Sequence, residues 1–117
     1  MEKVAVILKR SPYGDINAAE AVRHAMGGVG AEFAVSLVLV DGGVLLAKKG
    51  QDGTGTGFTN LGETLRDCIE MGVEVFADKG SIREQHLETE DIVDKVKIEN
   101  TIQIAELIQE AKTTLIF

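Results

Sequence analysis

The chain has no tryptophan, one proline, one tyrosine and a single cysteine, Cys68, among its 117 residues. A lone cysteine makes no internal disulfide and builds no zinc site unaided, which suits a reducing compartment. No apolar run reaches the roughly 18–20 residues that a bilayer span requires. The first apolar stretch, Val4 to Leu8, is shorter than a signal-peptide core and has no small-residue cleavage site behind it. A cytoplasmic location without membrane contact is therefore expected. Clustered positive charge is missing too. The formal charge is −7, from 12 Lys and Arg against 19 Asp and Glu. Binding to a phosphate backbone draws on grouped Lys and Arg, and pairs such as Lys9-Arg10 and Lys48-Lys49 are too small to reverse an acidic field. Direct nucleic-acid binding is not expected; the acidity favours solubility or a basic partner.

What is present is a globular composition, 44% hydrophobic and 26% charged, in a length that buries one continuous core. Residues 1–117 are read as one domain. Val4 to Leu8 is apolar at every position and reads as a buried strand, ending at the turn Ser11-Pro12-Tyr13-Gly14. Asp15 is placed to cap a helix with Ile16, Ala19, Val22 and Met26 on one face, and Gly27-Gly28 is expected to stop it. Phe33 to Val40 is a second strand, leaving at Asp41-Gly42-Gly43, and Val44 to Ala47 suggests a partial helix. Alternate glycines at 53, 55 and 57 carry too much backbone freedom for a regular element, so Gln51 to Gly57 reads as a mobile loop.

Asn60 and Glu63 resemble a capping box for a helix bearing Leu61, Leu65, Cys68 and Ile69 on one face and closed by Gly72. Val73 to Ala77 is a third strand. Ser81 and Glu84 suggest a second capping box, Val96 and Ile98 a fourth strand, and Asn100 with Gln103 the start of a last helix. Thr113 to Phe117 completes the set. Strands that alternate with helices, apolar on both faces, imply an α/β fold: a predominantly parallel sheet of about five strands with helices on each side. In such sheets ligands collect at the carboxyl ends of the strands. Ser11, Tyr13, Asp41, Asp78 and Ser81 occupy those exits and form the candidate binding crevice. The same residue types equally suit ordinary strand-to-helix turns.

These exits also carry a resemblance. Lys3 to Leu8 followed by Ser11-Pro12-Tyr13-Gly14, then Val40-Asp41-Gly42-Gly43-Val44, then Val75-Phe76-Ala77-Asp78-Lys79-Gly80-Ser81-Ile82-Arg83-Glu84-Gln85-His86-Leu87, and finally Thr114-Leu115-Ile116-Phe117, resemble in order the segments of the DsrE/DsrF-like (DsrF/TusC-type) sulfur-relay family. The resemblance covers nearly the whole chain. It implies a three-layer α/β/α fold, assembly into trimers or hexamers with identical or different DsrE/DsrF-like subunits, and a part in passing sulfane sulfur as a cysteine persulfide. A sulfur-carrier protein is a further implied partner. The pathways implied are tRNA 2-thiouridine formation or intracellular sulfur oxidation.

One departure matters. In DsrE- and TusD-like members a cysteine stands just past the third strand, where the N-terminus of the next helix would favour its thiolate. Counted back from Leu87, that position here is Asp78, which cannot hold a persulfide. His86 also departs, standing where the family usually has a glycine. Cys68 lies on an apolar stripe beside Asp67, the setting of a packing residue rather than a nucleophile. His24 lies off the stripe and reads as a solvated side chain.

No metal or cofactor is expected, and the glycine loop lacks the Gly-Lys-Ser/Thr ending of a phosphate-binding loop. The reading favoured is a non-catalytic or accessory subunit of a sulfur-relay assembly. Two alternatives stand beside it: a homo-oligomeric binder of a small anion or nucleotide, its glycine turns offering backbone N–H groups, and a thiol enzyme using Cys68.

Overall fold

A strand apolar at every position, as Val4 to Leu8 is, needs cover on both faces and neighbours on both edges. The computed structural model, which describes residues 2–14, 16–50 and 61–117, supplies both. Strand β1 (Lys3–Leu8) pairs in parallel with β2 (Ala34–Leu39) on one side and β5 (Thr113–Ile116) on the other. Beyond β2 come β3 (Glu74–Asp78) and β4 (Lys97–Glu99), also parallel, so the order is β4-β3-β2-β1-β5. The helices are α1 (Asn17–Gly30), α2 (Leu61–Glu70), α3 (Lys79–Glu84) and α4 (Thr101–Glu110). Two 3-10 segments, Asp41–Ala47 and Thr89–Asp91, complete the described elements.

Alternation along the strands divides the core in two. Val6, Leu8, Leu37, Leu39 and Val75 face one side, where Ala21, Val22, Leu65, Cys68 and Ile82 bring α1, α2 and α3 into one large cluster. Ile7, Val38 and Phe76 face the other side and meet Ile104 of α4. Helices thus lie on both faces of a parallel sheet, the three-layer α/β/α arrangement. No described helix is long and apolar enough to cross a membrane.

The first helix departs from the reading of its sequence. Its buried residues are Ala18, Ala21, Val22 and Ala25, whereas Ile16 is 76% exposed and Ala19 is exposed. Both stripes have helical spacing, and the one made of alanines lets the helix approach the sheet more closely. A Cβ at Gly28 would lie 2.8 Å from a methyl of Val35, so the glycine serves this approach instead of ending the helix. The helix runs on to Gly30 and closes with Glu32 at φ 69°, its Phe33 amide donating to the Gly28 carbonyl. A left-handed residue that is not glycine costs about 1–2 kcal/mol. Ile16 occupies the N-cap position, without a side-chain cap.

Elsewhere the differences are of register. The second strand starts at Ala34 and the third at Glu74. The partial helix expected at Val44 to Ala47 is the end of the longer 3-10 segment. The last helix has the expected reciprocal cap: Asn100 accepts from the Gln103 amide at 2.9 Å, and Gln103 accepts from the Asn100 amide at 3.1 Å. The roles expected of Asp15, of Asn60 and of the Gln51–Gly57 loop fall outside the described residues.

Candidate functional site

The exits of β1, β2 and β3 meet at the carboxyl edge because two glycines let them. A Cβ on Gly43 would collide with the Leu8 carbonyl oxygen, and one on Gly42 would lie 3.0 Å from the Ser11 amide nitrogen. The glycine pair is therefore required by backbone crossing backbone. The Val40 amide donates to the Leu8 carbonyl at 3.0 Å, and Asp41 takes the left-handed conformation (φ 51°) that turns the chain into the 3-10 segment.

Asp78 and Ser81 then tie the third exit to the second. The Asp78 carboxylate accepts from the Ser81 amide at 3.1 Å and from the Ser81 hydroxyl at 2.7 Å. The Ser81 hydroxyl in turn accepts from the Asp41 amide at 2.8 Å. The other Asp78 oxygen accepts from the Thr101 hydroxyl at 3.3 Å, a contact that nothing in the local sequence suggests. Asp78 is thus the N-cap of α3 and Ser81 lies inside that helix, so the capping box expected of Ser81 and Glu84 is replaced by a cap that begins three residues earlier. The reason is simple: Asp is as good a cap as Ser, and β3 ends on it. His86 takes φ 59°, which explains how it stands where a glycine is usual.

Four of the five crevice residues, Ser11, Asp41, Asp78 and Ser81, are linked in this way by hydrogen bonds or by backbone approach. Tyr13 follows them on the β1 exit with its amide 3.4 Å from the Ser11 hydroxyl and its side chain 60% exposed. The chemistry open to the edge is limited by what its groups already do. Ser81 is 2% exposed, with its hydroxyl both donating and accepting. The Asp41 and Ser81 amides are spent on side-chain oxygens. Among the described residues no group of three or more His, Cys, Asp and Glu side chains is placed to hold a metal ion.

Cys68 sits far from thiol chemistry in character. It is fully buried in the larger cluster, and burial pushes its pKa up to about 11. Only roughly one thiol in ten thousand would ionise at neutral pH with such a value. Burial supplies that shift, whereas the neighbouring Asp67 does not contribute. His24 is not simply solvated: its ring lies 5.1 Å from that of Phe117, and its Nδ1 is 2.7 Å from the Glu20 carbonyl oxygen.

A second polar region lies away from the carboxyl edge. A cleft of about 510 Å³ lies beside α2, lined in part by Lys48, Lys49, Arg66 and Lys95. The one available signal was the spacing of Gly62, Arg66, Ile69 and Glu70 on a single face of α2. The pairing that brings Lys48 to residues 93–95 is non-local and left no trace in the sequence.

Over residues 2–117 the chain matches the model of the DsrE/DsrF-like family. It belongs to that family. An uncharacterized protein of Methanopyrus kandleri is 28% identical over 117 residues, covering all of this chain and 95% of its own. The intracellular sulfur oxidation protein DsrF of Allochromatium vinosum is 28% identical over 95 residues, 80% of this chain and 70% of DsrF. Among solved structures, the ychN protein from E. coli superimposes with a TM-score of 0.89 over the full length of both chains at 24% identity, a likeness of fold. Asp78 and Ser81 stand at the third-strand exit of this fold and Asp41 at the second.

Proposed function

We propose that this DsrE/DsrF-like chain is an accessory subunit of a sulfur-relay assembly, one that docks thiol-bearing partners without carrying sulfur itself. A single observation carries the reading. The residue leaving β3 is a carboxylate engaged in capping α3 and bonding Thr101, while the chain's only thiol is buried with its pKa raised. Persulfide transfer needs an accessible thiolate to attack a sulfane sulfur, and neither position offers one. The name of the Allochromatium vinosum relative supports a sulfur pathway.

In this reading residues 1–117 act as one unit, in the cytoplasm, assembled as a trimer or hexamer with identical or different family chains. The edge holding Ser11, Tyr13, Asp41, Asp78 and Ser81 borders the contact with the thiol-bearing subunit or a sulfur-carrier protein. Any role in RNA modification runs through that partner. The test is to incubate the folded chain with a sulfane-sulfur donor beside a cysteine-bearing family member and weigh both intact. The expected result is an unchanged mass here and an added sulfur on the other protein. A robust one-sulfur adduct on Cys68 would overturn the assignment.

A further inference from the structure

We propose that the cleft beside α2 is a binding site for a small phosphate monoester, a role separate from the sulfur-relay reading and sharing no residue with the carboxyl edge. Acids outnumber bases by 19 to 12 in the chain. Among the described residues that line the cleft the ratio inverts: Lys48, Lys49, Arg66 and Lys95 stand with Glu70 and Asp94. An acidic molecule has thus gathered a third of its basic residues around one concavity. Such local enrichment focuses anions where the overall field would repel them.

The walls are built before any ligand arrives. Lys48 and Ile92 form an antiparallel bridge, the Lys49 amide donates to the Asp91 carbonyl at 2.7 Å, and the Val93 amide donates to the Ala47 carbonyl at 2.9 Å. These bonds clamp residues 47–49 against 91–93, which fixes two walls of the cleft; α2 supplies the third with Arg66, Ile69 and Glu70 on one face. Lys49 bonds Asp94 at 3.2 Å. Arg66 and Lys95 have no hydrogen-bond or ion-pair partner among the described residues, so their charges are available.

The dimensions and chemistry select the ligand class. A cleft of about 510 Å³ has the size of a small-molecule site. A guanidinium fork beside lysine point charges matches a phosphate dianion. Ile69 and Val93 offer apolar surface to the remainder of the ligand, and Glu70 offers an acceptor for its hydroxyl groups. The class is a phosphorylated molecule about the size of a mononucleotide.

The full chain should be titrated at low ionic strength with adenosine 5′-monophosphate and, separately, adenosine, by calorimetry. Saturable binding of the monophosphate and none of adenosine is expected. Arg66→Gln and Lys95→Gln should each weaken it about tenfold, the loss of one charge-assisted contact. Lys112→Gln, which removes a surface cation bonded to Glu2, should leave it unchanged. The inference is overturned if the monophosphate does not bind, if adenosine binds equally well, or if Arg66→Gln and Lys95→Gln bind like the parent chain. Thermal melts of the variants confirm that each is folded. Persulfide chemistry does not enter this measurement, so its outcome leaves the proposed relay role to be judged by its own test.

Discussion

At the carboxyl edge, the Asp78 carboxylate, the Ser81 hydroxyl and the Asp41 amide bond to one another; in the cleft beside α2, Arg66 and Lys95 hold charge that nothing described in the molecule answers. Both regions are polar and both lie where loops meet helices. The first spends its polar groups on holding the fold; in the second Lys49 pairs with Asp94, while Arg66 and Lys95 are engaged by no described group. A polar residue at a strand exit is thus a poor guide to function until its partners are known, since a buried hydrogen-bonding group must be satisfied whether or not a ligand exists. For the same reason substitutions should strike stability at the edge and spare it at the cleft.

The largest effect is expected where backbone crosses backbone. Gly43→Ala places a methyl against the Leu8 carbonyl and should destabilise the chain by about 3 kcal/mol in urea unfolding. Gly27→Ala, a helical glycine with open space around it, should stabilise by about 0.5–1 kcal/mol. Equal effects of the two would remove the steric account of the edge.

Ser81→Ala comes next. It leaves the Asp41 amide without its acceptor and takes the hydroxyl donor from Asp78, at an expected loss of about 2 kcal/mol. An unchanged unfolding midpoint would mean that the edge is less tightly held than its hydrogen bonds imply.

The helix α2 shows the comparison within one element, because one face carries Cys68 into the core while another presents Arg66 to the cleft. The Cys68 thiol keeps its proton in the folded chain up to about pH 11, against an ordinary value of 9.0. Between those values the unfolded chain binds fewer protons, so stability is full below pH 9 and falls as pH rises toward 11. The loss should be on the order of 2 kcal/mol. Cys68→Ala should remove this component of the slope in denaturant titrations run across that range; identical slopes would place the thiol in contact with solvent. Arg66→Gln, on the other face, should move stability by no more than about 0.5 kcal/mol, the smallest effect of the series.

Much of the fold is legible in the residues themselves. Val4 to Leu8 and the segment ending at Ala77 are apolar runs of strand length, Asn100 and Gln103 hold both halves of a reciprocal cap, and Leu65 with Cys68 keeps helical spacing. These signals are local, and local geometry suffices to carry them. The face of α1 is not legible, because alanines at 18, 21 and 25 and the larger Ile16 and Met26 satisfy the same period. The tertiary packing buries the smaller set with Val22 and leaves Met26 partly buried against the same cluster, while Ile16 stays exposed. At the edge, the crevice residues are legible as a group but not their employment.

From the sequence alone came the order of the elements, the parallel α/β class, the burial of the lone cysteine and the carboxylate at the end of β3. All follow from chain-neighbour chemistry: periodicity, capping and the turn residues between runs. Tertiary structure alone decided that Ser81 serves Asp41 from 40 positions away, that Gly43 must pass beneath Leu8, and that scattered lysines share a cleft with Arg66. Those are contacts between distant segments, and their energies exist only once the chain has closed the loops that bring the segments together.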